Sequence, residues 1–337
     1  MLFAKRAISI RNAVSESSRK IRLYLKKSIK QHPLIWFYVT SILIEIALIP
    51  IFIATGAQDG LIKGFEKARL HFNTDLVTAF RVILAAPEAF LGVFLSIAQV
   101  ASVDIAVFII AKIAYGKKGF LDLKNRFRFW RKEIKWQRGV KIWGVCLFTF
   151  SILNLTTGAL HNLLIDQSDF AWDINLFSTH FLIGFFIAMF LDAGAVFEEN
   201  GWRGFALPLL QSRFSPLKAS IILGLMWFGW HIPVKFDTFF YGFGNAIVLF
   251  SILMIKFVLL SIIMTFFFNR VGGTTIIAIV MHGVSNDSVG LGGRILSDSY
   301  TVYLLTEINL VIPMLIVAIG LVFKTKGRLG FRAGCQS

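Results

Sequence analysis

The sequence predicts an all-α polytopic membrane protein of about eight transmembrane helices, and three observations carry that prediction. Hydrophobic residues make up 56% of the 337-residue chain, charged residues only 16%, and phenylalanine alone occurs 35 times. The mean hydropathy is +0.71. So little polar surface cannot cover a soluble globule, and a bilayer must serve as much of the solvent. The third observation is where the charge sits. The net +16 is gathered in a few stretches flanking apolar runs, where topology and anionic membrane lipid account for it and no nucleic-acid partner is needed. Two cysteines, Cys146 inside an apolar run and Cys335 near the end, offer neither a disulfide framework nor a Cys-x-x-Cys metal site.

In chain order, residues 1–33 form a basic arm with Lys5, Arg6, Arg11, Arg19, Lys20, Arg22, Lys26, Lys27 and Lys30 against Glu16 alone. About 20 mostly apolar residues cross the hydrocarbon as a helix. Eight segments meet that length: 34–56, 88–113, 142–165, 176–197, 217–235, 246–268, 272–292 and 302–323. The first is too long for the core of a signal peptide and reads as a retained helix. The stretch 77–87 contains Arg81 and ends at Pro87, so it reads as an interfacial lead-in to the second span. A basic loop, 114–141, follows that span, and its residues 117–141 hold ten Lys or Arg against Asp122 and Glu133. Two spans separate arm from loop, which places both in the cytoplasm. The 166–175 connection carries Asp166, Asp169 and Asp173 and no basic residue, the 198–218 link carries Arg203, Arg213 and Lys218, and the tail 324–337 carries Lys324, Lys326, Arg328 and Arg332. Eight spans with both termini cytoplasmic, in the cell membrane, satisfy all of these. The chain then divides into the arm, an N-terminal transmembrane region 34–141, a second region 142–323 and the tail.

A charge at mid-bilayer costs on the order of 2.5–3.5 kcal/mol even on the lenient insertion scale, so each one pairs, faces a cavity or lies near the surface. Glu45, Asp104 and Lys256 stand alone in their segments and are expected to be held by a buried hydrogen bond or an ion pair. His161 and His180 fall near the outer ends of their spans, where an interfacial histidine needs no special role. Asp192, His231, His282, Asn286 and Asp287 complete the set.

Three stretches of the second region combine several such groups. "FEENGWRGFALP" (197–208) places Glu198 and Glu199 at the end of a span, with Arg203 four residues after Glu199. Glu199 and Arg203 have the favourable order for a helical ion pair, which leaves Glu198 to face another direction about 100° around the helix. "LMWFGWHIPVKF" (225–236) puts Trp227 and His231 on one helical face, with Pro233 set to distort the helix just beyond. "IVMHGVSNDSVG" (279–290) puts His282 and Asn286 on one face. A lone intramembrane histidine is commonly a packing residue, but here two carboxylates, two histidines and an amide gather in different apolar segments. Amide hydrolysis needs a base for water, donors for the oxyanion and an acid for the leaving amine. Glu198 with His231 can serve the water, and His282 with Asn286 the oxyanion.

The three stretches resemble the signature of the CPBP family of intramembrane proteases, the CaaX proteases and bacteriocin-processing enzymes also called the Abi family: "EENGWR", "WFGWH" and "HGVSN", in that order. The resemblance covers roughly 176–292 and implies an endopeptidase acting on a membrane-associated or lipidated protein or peptide, in a conical intramembrane cavity. It implies catalytic roles for Glu198, His231, His282 and Asn286, with Glu199, Arg203 and Trp227 in support. A glutamate-activated water with no required cofactor is the preferred reading, because the His-Glu-x-x-His zinc helix is absent and asparagine is a poor zinc ligand. If zinc is bound, its ligands would be Glu198, His231 and His282. Two other functions remain open. One is an ion- or proton-coupled transporter using Asp192, Glu198, Lys256 and the histidines, although the halves show no hydropathy repeat. The other is a non-catalytic scaffold or immunity protein acting through the arm and loop.

Overall fold

Inside hydrocarbon, backbone N–H and C=O groups have no water to bond, so each long apolar run satisfies them within itself as a helix. The computed structural model describes residues 2–70, 73, 75–165, 178–286 and 299–331, with side chains from residue 16 onward except that of His180. Among these residues every regular element is helical. The basic arm is α1 (Leu2–Gln31), and His32 alone separates it from α2 (Pro33–Ala54), where a proline in the first turn removes an N–H that the helix leaves unpaired anyway. Then come α3 (Ala57–Ala68), α4 (Leu76–Ala85) over the expected lead-in, α5 (Phe90–Val100), α6 (Ser102–Tyr115) and α7 (Lys117–Arg126) within the basic loop. The second region contains α8 (Trp136–Leu164), α9 (Thr179–Leu191), α10 (Ala193–Glu199), a π-helical segment Asn200–Ala206, α11 (Leu207–Gln211), α12 (Pro216–His231), α13 (Phe243–Arg270), α14 (Ile276–Asn286) and α15 (Tyr300–Thr325).

Four of these, α2, α8, α13 and α15, are long and apolar enough to cross a membrane by themselves. Two more candidates are bent: residues 87–100 meet α6 at 50°, and α12 meets the 3₁₀ segment Pro233–Tyr241 at 71°. The second bend lies where Pro233 was expected to distort the chain. The segments 176–197 and 272–292 carry the shorter helices α9 and α14, of 13 and 11 residues. A count of eight therefore requires both short helices to act as spans. Asp166, Asp169, Asp173, Asp287, Arg332 and Cys335 lie outside the described residues, as do the side chains of Lys5, Arg6, Arg11 and His180.

The interior is built by close backbone approach and large aromatics. A Cβ on Gly283 of α14 would lie 2.0 Å from the Ala188 carbonyl oxygen of α9, and one on Gly224 of α12 would lie 2.6 Å from Val258 Cα of α13. Between apolar helices in lipid, small residues allow the dispersion contacts that water would otherwise drive. Trp202, Trp227 and Trp230 are each at most 1% exposed. Outward, the pattern reverses: Phe148 and Ile316 are each 68% exposed, as a lipid-facing surface requires. At one end of the bundle, Arg126 donates to Asp122 and to the Gly273 carbonyl, Gln211 to Asn269, and Asn269 to the Leu329 carbonyl. These bonds tie the basic loop to the turn after α13, and the end of α11 and the segment after α15 to the last turn of α13.

The isolated polar residues divide. Asp104 is hydrogen-bonded as expected, and Lys256 pairs with Glu307 of α15 at 2.5 Å. Glu45 departs from expectation: it is fully buried, and neither carboxylate oxygen meets a hydrogen-bond partner among the described residues. His161, in the last turn of α8, is 0% exposed and receives the Asn309 amide at 2.9 Å in the seam between α8 and α15. The packing at Gly283 is directly testable. A Gly283→Val substitution should force α14 away from α9 and destabilise the protein by about 1–3 kcal/mol, the usual cost of overpacking. Thermal unfolding of the detergent-solubilised protein would read it as a lowered midpoint, and an unchanged midpoint would refute the close contact.

Candidate active site

The backbone sets the site before the side chains do. Asp192 caps α10, its Oδ1 accepting the Ala195 N–H at 2.7 Å, which starts the short helix that ends in Glu198 and Glu199. Immediately afterwards the chain widens into the π-segment, a rare geometry that frequently occurs at functional sites. Asp104 of α6 holds its start, accepting from Asn200 Nδ2 at 2.7 Å and from the Gly201 N–H at 3.2 Å.

The adjacent glutamates point to different partners, as their angular separation demands. Glu198 Oε2 accepts the indole N–H groups of Trp202 at 3.2 Å and Trp227 at 2.9 Å. Glu199 Oε1 accepts from Arg203 Nη1 at 2.7 Å and from His282 Nδ1 at 2.9 Å. All of these side chains are buried, Glu199 and Arg203 completely. The Arg203 guanidinium lies 4.1 Å from the centroid of the Trp227 ring, a cation–π contact that strengthens where water is excluded. The same ring meets His282 edge-on at 4.9 Å. Trp227 thus touches Glu198, Arg203 and His282 at once.

The two histidines are fixed in the same way. The carbonyl of Trp227 can only accept, so His231 donates to it from Nδ1 at 2.9 Å, and the ring is walled by Trp230 at 4.8 Å and Phe257 at 4.4 Å. A carboxylate likewise only accepts, so His282 carries its proton on Nδ1 toward Glu199. Both rings keep Nε2 for the cavity of about 330 Å³ that Glu198, His231, His282 and Asn286 line together. All four residues expected to be catalytic therefore share one space. Glu199 and Arg203 buttress it from behind, and Trp227 forms part of its wall.

Asn286 donates from Nδ2 to Asp192 Oδ1 at 3.2 Å, which fixes the amide's orientation and leaves its second N–H. Gly194 lines the cavity, and a Cβ there would lie 3.2 Å from Glu198 Oε1, 3.3 Å from Asp192 Oδ1 and 3.4 Å from Asn286 Nδ2. The missing side chain opens a small slot bounded by three polar atoms. Sequence reasoning missed Gly194, four residues before Glu198, and Trp202, four residues after it. That spacing was the available signal for both. It also assigned Asp192 only to an ion path, whereas here it orients Asn286. Among the described residues no three His, Cys, Asp or Glu side chains form a group that could hold a metal ion. Glu198, His231 and His282 line one cavity without being gathered as a ligand set.

Arg203 lets the buried charge be tested. Removing one member of a buried pair leaves the other uncompensated, so Arg203→Met should destabilise the protein by about 3–5 kcal/mol. Adding Glu199→Gln should restore part of that loss. Unfolding midpoints of the two variants decide it, and equal midpoints would mean that the carboxylate is not balanced by Arg203.

Comparison with known proteins identifies the region that carries this site. The family model described as type II CAAX prenyl endopeptidase, Rce1-like, matches residues 178–287. CAAX prenyl protease 2 of Methanococcus maripaludis is 35% identical over 113 residues, which are 33% of this chain and 41% of that protein. The chain thus spans about two fifths of the length of that relative.

Proposed function

We propose that the chain is an intramembrane endopeptidase that hydrolyses a membrane-associated or lipidated protein or peptide, a reading supported by the match of residues 178–287 to the CAAX prenyl endopeptidase family model. The observation that carries this reading is the shared cavity of Glu198, His231, His282 and Asn286. The division of labour within Glu198 supports it. Oε2 is anchored by two indole donors, while Oε1 borders the Gly194 slot beside the Asn286 amide. Water held at Oε1 gives up a proton to Glu198 as its oxygen attacks the scissile carbonyl carbon. The carbonyl oxygen becomes an oxyanion, to which the second Asn286 N–H donates. His282 can add a donor from Nε2 only as the imidazolium, whose charge the Glu199 carboxylate balances. When the C–N bond breaks, the proton on Glu198 passes to the leaving amine. His231, with Nδ1 committed to a carbonyl, offers the Nε2 lone pair to the same water.

The charge asymmetry of the sequence supports a cell-membrane protein with both termini in the cytoplasm, with membrane lipid and the protein substrate as partners. A transporter would not need the Glu198 carboxylate clamped by two indoles, since an ion path calls for mobile or hydrated carboxylates. A scaffold would not need the paired ring tautomers.

Purified protein profiled on a library of membrane-anchored peptides would define the substrate and supply the assay for two variants and a chelation test. Glu198→Gln keeps the shape but removes the base, and turnover should fall by about 10²–10⁴; turnover within a few-fold of the parent would sink the assignment. Asn286→Ala should lower kcat by about 10²–10³ with substrate binding nearly unchanged, whereas a purely structural asparagine would cost folded yield and leave turnover per folded molecule intact. Under the glutamate reading, activity should survive chelation, and active protein should contain no stoichiometric zinc. One zinc per chain lost in step with activity would overturn that preference in favour of a metal-bound water.

A further inference from the structure

We propose that the groove between α1 and the end of α6 binds the phosphate headgroup of an anionic phospholipid. The groove is large, about 1120 Å³, and shares no lining residue with the proteolytic cavity. Two ladders of α1 run along it at four-residue spacing: Arg22, Lys26 and Lys30 beside Ile21, Leu25 and Ile29. Residues four apart on a helix stack about 5–6 Å from one another, so one edge of the groove is a row of cations and the adjoining edge a row of aliphatic side chains. Lys112 and Tyr115, from the last turn of α6, close the opposite side.

Three features select the occupant. Among the described residues no carboxylate lines the groove. Among the described residues none of its four cations forms an ion pair, the acidic residue of α1, Glu16, being turned to Lys20 instead. The groove therefore presents four positive charges with no internal counterion. Its depth is also specific: α6 ends at Tyr115 and α2 begins at Pro33, so it opens where apolar helices give way to basic segments, which is the level of lipid phosphates. The aliphatic ladder then suits the glycerol and upper acyl carbons of the same molecule. A free phosphate ion would leave that ladder unused, and a lipid fills both halves.

The test uses the full chain in phosphatidylcholine vesicles containing a trace of spin-labelled phosphatidylglycerol, read by the immobilised fraction of the spectrum. The parent should immobilise phosphatidylglycerol in preference to phosphatidylcholine labelled in the same way. Combined Arg22→Ala, Lys26→Ala and Lys30→Ala should weaken that association by roughly a hundredfold, because each basic residue near anionic lipid contributes about a fivefold factor. The charge-keeping set Arg22→Lys, Lys26→Arg and Lys30→Arg should retain it, as should Lys324→Ala, Lys326→Ala and Arg328→Ala at the distant tail. No preference in the parent, or equal losses in the groove and tail variants, would overturn the proposal. So would displacement of the lipid by inorganic phosphate at concentrations where chloride has no effect, since that would make free phosphate the ligand. Should the triple alanine variant fail to fold, Lys112→Ala reads the site from α6, with an expected loss of roughly fivefold, and unchanged binding there would equally overturn it.

Discussion

One oxygen atom holds the site together. Glu199 Oε1 receives both the Arg203 guanidinium from within its own segment and the His282 ring from α14, at a depth where neither Glu199 nor Arg203 touches solvent. A charge there is tolerable only if it is compensated, so the three groups must stay in register. Arg203 in turn lies on the Trp227 ring of α12, and Trp227 donates to Glu198. A single desolvated carboxylate thus fixes the relative positions of α10, α12 and α14, the three elements that bring Glu198, His231, His282 and Asn286 to the cavity. The two adjacent glutamates take different tasks. Glu199, 0% exposed and outside the cavity lining, holds the Arg203 and His282 contacts, whereas Glu198 lines the cavity with Oε2 on two indoles and Oε1 at the Gly194 slot.

Hydrogen-bond polarity then sets the ring chemistry. His231 spends Nδ1 on a backbone carbonyl four residues earlier, and His282 spends Nδ1 on Glu199. Each ring is left with Nε2 for the cavity, but the two environments differ. The partner of His231 is a neutral backbone carbonyl and that of His282 a carboxylate already paired with Arg203. Similar geometry at two histidines therefore sets the rings in unlike electrostatic surroundings.

What the sequence made legible follows the range of each interaction. Pairs four residues apart could be read from helical spacing: Glu199 with Arg203, Trp227 with His231, and His282 with Asn286 all share faces as expected. The convergence of three short motifs was also legible, because each lies in a different apolar segment. Contacts between distant segments were not. Asp104 reaches Asn200 across 96 residues, Lys256 reaches Glu307 across 51, and His161 receives Asn309 across 148. No periodicity encodes such pairings, which is why Lys256 read as isolated and His161 as needing no special role. The span count was blurred for a related reason. Hydropathy registers apolar length, whereas Asp192, capping a new helix in mid-run, and the widening at Asn200–Ala206 break one apolar run into short pieces.

Those breaks explain how a polar site can exist in such an apolar chain. Apolar helices in lipid gain little from any one rotation over another, because the tails of the bilayer solvate them as well as neighbouring helices do. Orientation must come from contacts that lipid cannot replace, which are buried polar bonds and backbone approaches closer than any side chain allows. The site is ringed by both kinds. Asp192 and Asp104 hold the two ends of the Glu198–Glu199 turn, while Gly283, next to His282, lets α14 approach α9 to backbone contact. Asp192 also takes the Asn286 amide, so the residue that starts the glutamate helix is the one that orients the donor opposite it. The separation of Glu198 and Asn286 is thereby set by one side chain of a capping residue, a contact that bilayer lipid cannot replace.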